Sequence, residues 1–101
     1  MEEIKKNIKQ NIKSLEPKAE VILFGSQARG DAQSESDWDV LILLPYPSDI
    51  RVEQRFRHKM LELEISFGIA ISTIVYAKDE WTSKHSVTPL YKNVSADGIL
   101  L

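Results

Sequence analysis

The sequence has 101 residues, of which 43% are hydrophobic and 28% are charged. This balance is typical of one small globular domain and not of a disordered or membrane-spanning chain, so we treat residues 1–101 as a single domain. Thirteen Lys and Arg stand against fifteen Asp and Glu, a formal net charge of −2. The chain therefore has no excess positive potential for bulk nucleic-acid binding.

The residue types that are missing or rare narrow the chemistry further. The chain contains no Cys and only two His, which excludes disulfides, thiolate nucleophiles and a His-based zinc cage. Carboxylates remain as ligands for a hard cation. The N-terminal segment lacks the apolar core of a signal peptide, and no apolar stretch reaches the roughly 18 residues of a spanning helix. We therefore expect no membrane association and a cytoplasmic location.

The first elements follow from apolar spacing. A helix is predicted to end at Pro17, because apolar residues recur at helical spacing before it: Ile4, Ile8, Ile12 and Leu15. The continuous apolar run 21–24 predicts a central strand buried on both faces, ending at Gly25. Small residues over 25–28 predict a turn into a short helix, and 30–36 a polar loop.

A second strand is predicted over 37–44, closed by Pro45 and Pro47. Ser48 or Asp49 can cap a long helix that Gly68 ends. The apolar residues of this helix recur at spacings of four, four, three and four: Val52, Phe56, Met60, Leu63 and Phe67.

The remaining elements are shorter. The β-branched run 69–76 predicts a third strand, and 78–84 a short helix. A last helix is predicted from Pro89, capped by Thr88, to Gly98. The order of helices and strands favours a small α/β (α+β) domain of two or three layers.

Two carboxylates mark the start of the second strand. Side chains alternate along a strand, so Asp37 and Asp39 are expected on one face, with Cα atoms about 6.6 Å apart, while Trp38 points into the core. The two carboxylates repel each other unless a cation lies between them. Both residues are therefore candidate ligands for Mg²⁺, and Mn²⁺ accepts the same oxygen donors.

The turn before the short helix supplies the complementary half of a site. A helix that starts at Ser26 presents free backbone N–H groups to an anion. Gly25 allows close backbone approach, the Ser26 hydroxyl can donate to a phosphate, and Arg29 adds a fixed positive charge. A phosphate cradle that faces a metal site suits a metal-bound nucleoside triphosphate such as ATP.

These two stretches, Gly25-Ser26-Gln27-Ala28-Arg29-Gly30 and Ser36-Asp37-Trp38-Asp39, carry a family resemblance. The chain resembles the minimal nucleotidyltransferases of the DNA polymerase beta superfamily, whose hallmark is G-S-x-A-R-G followed by S-D-x-D. The resemblance implies a mixed sheet of three to four strands flanked by helices. It also implies that Asp37 and Asp39 hold Mg²⁺, that Gly25 and Ser26 bind phosphates, and that nucleotidyl transfer releases pyrophosphate.

The sequence departs from this family at one position. Active members carry a third carboxylate on a following strand, where this chain has Ser72 or Thr73, and a hydroxyl is neither a carboxylate base nor a strong metal ligand. Glu62 and Glu64 lie on the preceding helix, where one of them could substitute for the third carboxylate, but both are expected to face solvent. Two hypotheses follow: a nucleotidyltransferase, most plausibly an adenylyltransferase acting on a protein or small-molecule hydroxyl, or a nucleotide-binding module without turnover.

Partners are suggested by the resemblance and by two surface features. The short stand-alone members resembled here often act with a HEPN-domain protein, as antitoxin to toxin. The apolar tail 99–101 either docks onto the domain or marks an interface, which leaves a homo-oligomer open. Arg51, Arg55 and Lys59 recur at spacings of four beside His58, and form either a solvated stripe or a contact for an acidic partner.

Overall fold

Helices and strands alternate along nearly the whole chain in a computed structural model that describes residues 2–33 and 36–101. Ser34 and Glu35, in the predicted 30–36 loop, lie outside the described residues. The elements are, in order, α1 Glu2–Leu15, β1 Glu20–Phe24, α2 Ser26–Arg29, β2 Trp38–Leu44, α3 Ile50–Phe67, β3 Ile71–Ala77, α4 Lys78–Ser83, α5 Pro89–Asp97 and β4 Ile99–Leu100.

The strands form one four-stranded sheet in the order β3-β2-β1-β4. β1 is antiparallel to both β2 and β4, whereas β2 and β3 are parallel. The parallel pair requires a crossover, which α3 provides. The predicted mixed sheet of three to four strands is confirmed.

One face of the sheet packs against α1 and α3. Strand alternation sends Trp38, Val40 and Ile42 to this face, where they meet the fully buried Ile8 and Phe56. Because Trp38 lies in this core, it points away from the face that carries Asp39, as strand alternation predicts.

The opposite face packs against α4 and α5. Leu41 and Leu43 of β2 contact the buried Trp81 of α4 and Val94 of α5. The sheet therefore lies between two helical layers.

The long helix has the ends that its sequence predicts. The Asp49 carboxylate accepts a hydrogen bond from the Val52 N–H at 3.0 Å, so Asp49 rather than Ser48 is the cap. Gly68 ends the helix with φ of 65°, in the left-handed region that glycine adopts without steric cost.

The second and third strands begin later than predicted. β2 begins at Trp38, so Asp37 precedes the strand and is exposed. β3 begins at Ile71 and not at 69, because the turn around Gly68 continues to that point and the Glu64 carboxylate accepts from the Ile71 N–H at 3.1 Å. The prediction that Glu64 simply faces solvent therefore gives way to a structural role.

The apolar tail is docked on the sheet. Ile99 and Leu100 pair with β1 as β4, and the Leu101 N–H donates to the Val21 carbonyl at 2.8 Å. Within residues 2–33 and 36–101, none of the helices is both long enough and apolar enough to cross a membrane.

Candidate nucleotide and metal site

The antiparallel register of β1 and β2 brings the two halves of the predicted site together. Phe24 pairs with Asp39, so Gly25, which follows β1, lies directly beside the Asp39 side chain. Gly25 has φ of 76°, and a Cβ added there would collide with Asp39 Oδ2. Two independent constraints, backbone conformation and space, therefore require glycine at this position.

The turn after Gly25 is a single turn of helix. The Arg29 N–H donates to the Gly25 carbonyl at 3.0 Å, and the Gly30 N–H donates to the Ser26 carbonyl at 3.0 Å. Gly30 then ends α2 with φ of 82°. Ser26 is the first residue of this turn, where backbone N–H groups have no partner within the helix.

An open cavity of about 380 Å³ lies at these strand ends. It is lined by Phe24, Gly25, Ser26, Arg29, Asp39, Asn93 and Asp97. Four of the five predicted site residues are thus brought together on one wall. Asp37 is outside the lining, because it precedes the strand and is exposed, but it is close enough to affect Asp39 electrostatically.

Asp39 is half-buried, and its surroundings disfavour the charged carboxylate. Burial raises the pKa of Asp39 above its usual value, and the negative charge of Asp37 raises it further. Arg29 acts in the opposite direction and lowers this pKa. The net shift is upward, so burial and the charge of Asp37 together outweigh the stabilisation that Arg29 gives to the Asp39 carboxylate.

This imbalance suits a divalent cation. The carboxylates of Asp37 and Asp39 are hard oxygen donors, and Mg²⁺ is usually held by one or two carboxylates together with substrate phosphates. Among the described residues, no group of three or more His, Cys, Asp or Glu is arranged to hold a metal. The two aspartates therefore fit a cation that arrives with a triphosphate better than one held by protein alone.

Arg29, predicted to add a fixed positive charge, lies between two carboxylates. Its Nε donates to Asp31 at 3.1 Å and its Nη1 donates to Asp97 at 3.0 Å. The hydrogen bond that Arg29 donates to Asp31, followed by the one it donates to Asp97, raises the pKa of Arg29. The guanidinium is thus oriented at the cavity, with part of its charge already compensated.

The register of β3 decides between Ser72 and Thr73 for the position of the family's third carboxylate. Ser72 pairs with Asp39 on the parallel strand and is exposed, so it lies on the same face. Thr73 points into the opposite core and is 7% exposed. Glu62 is exposed and lies 4.0 Å from Lys59, in agreement with the solvent-facing prediction.

Sequence reasoning missed two residues of the cavity, Asn93 and Asp97. Both lie on α5, one helical turn apart, and both line the wall that faces Asp39. The available signal was their spacing of four residues beside the apolar Val94 face. Spacing alone does not show that α5 packs over the end of β1.

Comparison with known proteins finds similar sequences and structures. Residues 4–99 match the family model described as Nucleotidyltransferase domain. MJ0141 of Methanocaldococcus jannaschii, named as a candidate protein adenylyltransferase, is 41% identical over 83 residues, which is 80% of this chain and 84% of that protein.

Solved structures share the fold. A chain from a toxin–antitoxin crystal structure with AMP-PNP superposes with a TM-score of 0.69 at 20% identity, covering 94% of this chain and 69% of that one. A second comes from a complex of a tri-AMPylated Shewanella oneidensis HEPN toxin with its MNT antitoxin. Its TM-score is 0.58 at 19% identity, covering 96% and 70% of the two chains.

Proposed function

Because the chain belongs to the nucleotidyltransferase domain family, we propose that it transfers an adenylyl group from ATP to a hydroxyl group on a partner protein. The observation that carries this proposal is the placement of Asp39 beside Asp37, on the wall of a cavity that also contains the Gly25-Ser26 turn and Arg29. Carboxylates for a cation thus face groups that bind phosphate.

In the transfer, the acceptor oxygen forms a bond to the α-phosphorus of ATP. The bond between that phosphorus and the oxygen bridging to the β-phosphorus breaks, and pyrophosphate leaves with the bonding electrons. The hydroxyl proton passes to water, because Ser72 stands where a carboxylate base would be expected. Holding donor and acceptor in line supplies much of the rate in such a reaction.

The residues of the chain divide this work. Asp37 and Asp39 would hold Mg²⁺, or Mn²⁺ in its place, and the ion supplies charge neutralisation on the triphosphate. Gly25 lets the backbone approach the phosphates, while the Ser26 hydroxyl and N–H groups donate to them. Arg29, fixed by Asp31 and Asp97, places a positive charge beside the phosphate chain.

The proposed acceptor is a HEPN-type protein, for which this chain would act as antitoxin. The support is the structural similarity to a chain from a complex that contains a tri-AMPylated HEPN toxin, together with the similarity to MJ0141. The cavity is open at the strand ends, so a side-chain hydroxyl of a second protein has access to the site.

A second candidate function is nucleotide binding without turnover, in which the protein acts by masking its partner. The observation that favours it is Ser72, the parallel-strand neighbour of Asp39, in place of a third acid. This chain could then hold Mg-ATP through the same residues without activating the acceptor hydroxyl.

The test is transfer of label from α-phosphate-labelled ATP to a purified HEPN-type protein encoded with this chain, or to lysate, in the presence of Mg²⁺. The Asp39→Ala variant is the negative control, and Asp79→Ala, which removes an exposed acid on α4, is the matched control. Transferase activity is established if Asp39→Ala loses the labelling of the partner and Asp79→Ala keeps it. Mg-ATP binding by calorimetry without label establishes the binding module instead.

A further inference from the structure

Charge is unevenly distributed over the two sides of the sheet. Helices α1 and α3 together carry eight of the thirteen Lys and Arg but only five of the fifteen Asp and Glu. The layer they form has a net charge of +3, and the remainder of the chain has −5. The overall charge of −2 thus conceals a basic layer on the side opposite α4 and α5.

The positive charge is concentrated along a groove beside α3. A cavity of about 410 Å³ lies between the end of α1 and the outer surface of α3, with Leu15 on one wall. Its cationic and imidazole side chains repeat at helical spacing: Arg51, Arg55, His58 and Lys59. We call these four residues together with Leu15 the basic groove.

One acid, Glu62, also lines the groove beside its three cations Arg51, Arg55 and Lys59. Within residues 2–33 and 36–101, Arg51 and Arg55 form no ion pair, and Lys59 approaches Glu62 only at the 4.0 Å limit. Arg51 lies in the first turn of α3, where the positive end of the helix dipole adds to its charge.

The outer surface of α3 continues from the basic groove into an apolar stretch. Leu61 is 47% exposed and Ile65 is 75% exposed. The two residues lie one helical turn apart on the side of α3 that faces away from the core. Large apolar side chains this exposed and adjacent to a charged groove mark an interaction surface.

This surface is separate from the nucleotide site. The basic groove belongs to the layer of α1 and α3, whereas Asp39 points to the opposite face of the sheet and α5 forms the wall of its cavity. A ligand of the groove would therefore leave the nucleotide cavity accessible.

We infer that the basic groove and the adjacent Leu61 and Ile65 dock an acidic amphipathic helix of a partner protein. At 1.5 Å per residue, the cations extend over about 12 Å from Arg51 to Lys59, and the apolar residues end about 21 Å from Arg51. The matching helix carries acids over its first two turns and apolar residues over the next two, which is the helix-in-groove mode of recognition.

A protein helix fits this surface better than a nucleic acid. No Phe, Tyr or Trp is among the residues that line the groove in the described part of the chain, so the His58 imidazole is the one ring there on which a base could stack. Leu61 and Ile65 would gain nothing against a phosphate backbone, whereas apolar side chains of a helix would bury them.

The test uses a synthetic helical peptide of about 16 residues, with Glu at spacings of four in its first half and Leu at helical spacing in its second half. A scrambled peptide of the same composition is the comparison. Binding is measured by fluorescence anisotropy against the wild type, Arg51→Glu/Arg55→Glu, Leu61→Ser/Ile65→Ser and Lys84→Glu/Lys92→Glu. The last variant makes the same change in charge on exposed residues outside the surface.

We expect the designed helical peptide to bind the wild type and the Lys84→Glu/Lys92→Glu variant equally, and to bind each α3 variant at least about tenfold more weakly.

Equal binding of the scrambled peptide to the wild type would show nonspecific charge attraction and overturn the inference. Failure of the designed peptide to bind the wild type would overturn it as well. Displacement of the peptide by a single-stranded RNA would assign the surface to nucleic acid. Self-association that the α3 variants abolish would assign it to a second copy of this chain. Both results would overturn the inference. None of these measurements depends on nucleotide transfer.

Discussion

Ser72 lies directly beside Asp39, its partner in the parallel register of β3 and β2. The two side chains therefore lie on the same face of the sheet. Under the proposed function, an acid at position 72 would be a neighbour of the proposed cation ligand Asp39.

Replacing Ser72 by Asp should increase nucleotidyl transfer by about tenfold or more, because a positioned carboxylate base typically contributes 10²–10⁴-fold. The measurement is kcat with saturating Mg-ATP. Ser72→Asn, similar in size but uncharged, should leave kcat within about twofold of the wild type. An unchanged rate for Ser72→Asp would show that β3 does not supply the missing group.

Gly25→Ala should abolish Mg-ATP binding and destabilise the protein by about 1–3 kcal/mol, because alanine is strained at φ of 76° and its Cβ collides with Asp39. Gly30→Ala is the matched control. It has φ of 82° but nothing within 4 Å of the added Cβ, so it should lower stability and keep binding. Calorimetry and thermal unfolding separate the two effects, and equal losses of binding would refute the role of Gly25.

Asp97 and Asp31 both bind Arg29, but only Asp97 lines the cavity. Its side chain is 23% exposed, against 61% for Asp31, so the bond to Asp97 is less screened by solvent. Asp97→Asn should therefore lower kcat/KM for ATP by about fivefold or more.

Asp31→Asn should change kcat/KM by less than about twofold, since an exposed ion pair contributes little. In the Arg29→Gln background, Asp97→Asn should have no further effect, because its partner is gone. If the losses of kcat/KM from Asp97→Asn and Arg29→Gln were additive, Asp97 would act independently of Arg29.

Asp39→Asn should stabilise the protein at neutral pH in the absence of divalent cations. Burial, followed by the charge of Asp37, raises the pKa of Asp39 above its usual 3.8, so the native state binds this proton more tightly than the unfolded state does. Stability therefore falls as pH rises from 3.8 through the raised pKa, and the cost is fully present above it.

The measurement is the melting temperature as a function of pH in a metal chelator. The advantage of Asp39→Asn should be largest near pH 7 and should shrink as the pH falls toward 3.8. If Asp39→Asn were less stable than the wild type at every pH, the charged Asp39 carboxylate would not destabilise the native state.

Local patterns predicted the features that depend on local physics. The spacing of Ile8 and Ile12 predicted α1, and strand alternation predicted that Trp38 faces the core and Asp39 does not. Gly25 and Ser26 were predicted from the small residues that follow the apolar strand and from the G-S-x-A-R-G resemblance.

Features that depend on packing were beyond these patterns. The choice between Ser72 and Thr73 is set by the parallel register, which depends on how α3 crosses the sheet. The bond between Arg29 and Asp97 joins residues 68 positions apart, and the position of Asp97 depends on how α5 packs against β1. No spacing rule connects residues at such a distance.

The two Trp side chains lie on opposite faces of the sheet, Trp38 in the core with α1 and α3, and Trp81 in the core with α4 and α5. Each is therefore an optical label for one layer. Single-tryptophan variants would report the emission of each layer separately during unfolding. Coincident transitions would mean that the basic layer and the layer around the nucleotide cavity unfold as one cooperative unit. Separate transitions would mean that the two layers unfold independently, so that a ligand of one layer could stabilise that layer without stabilising the other.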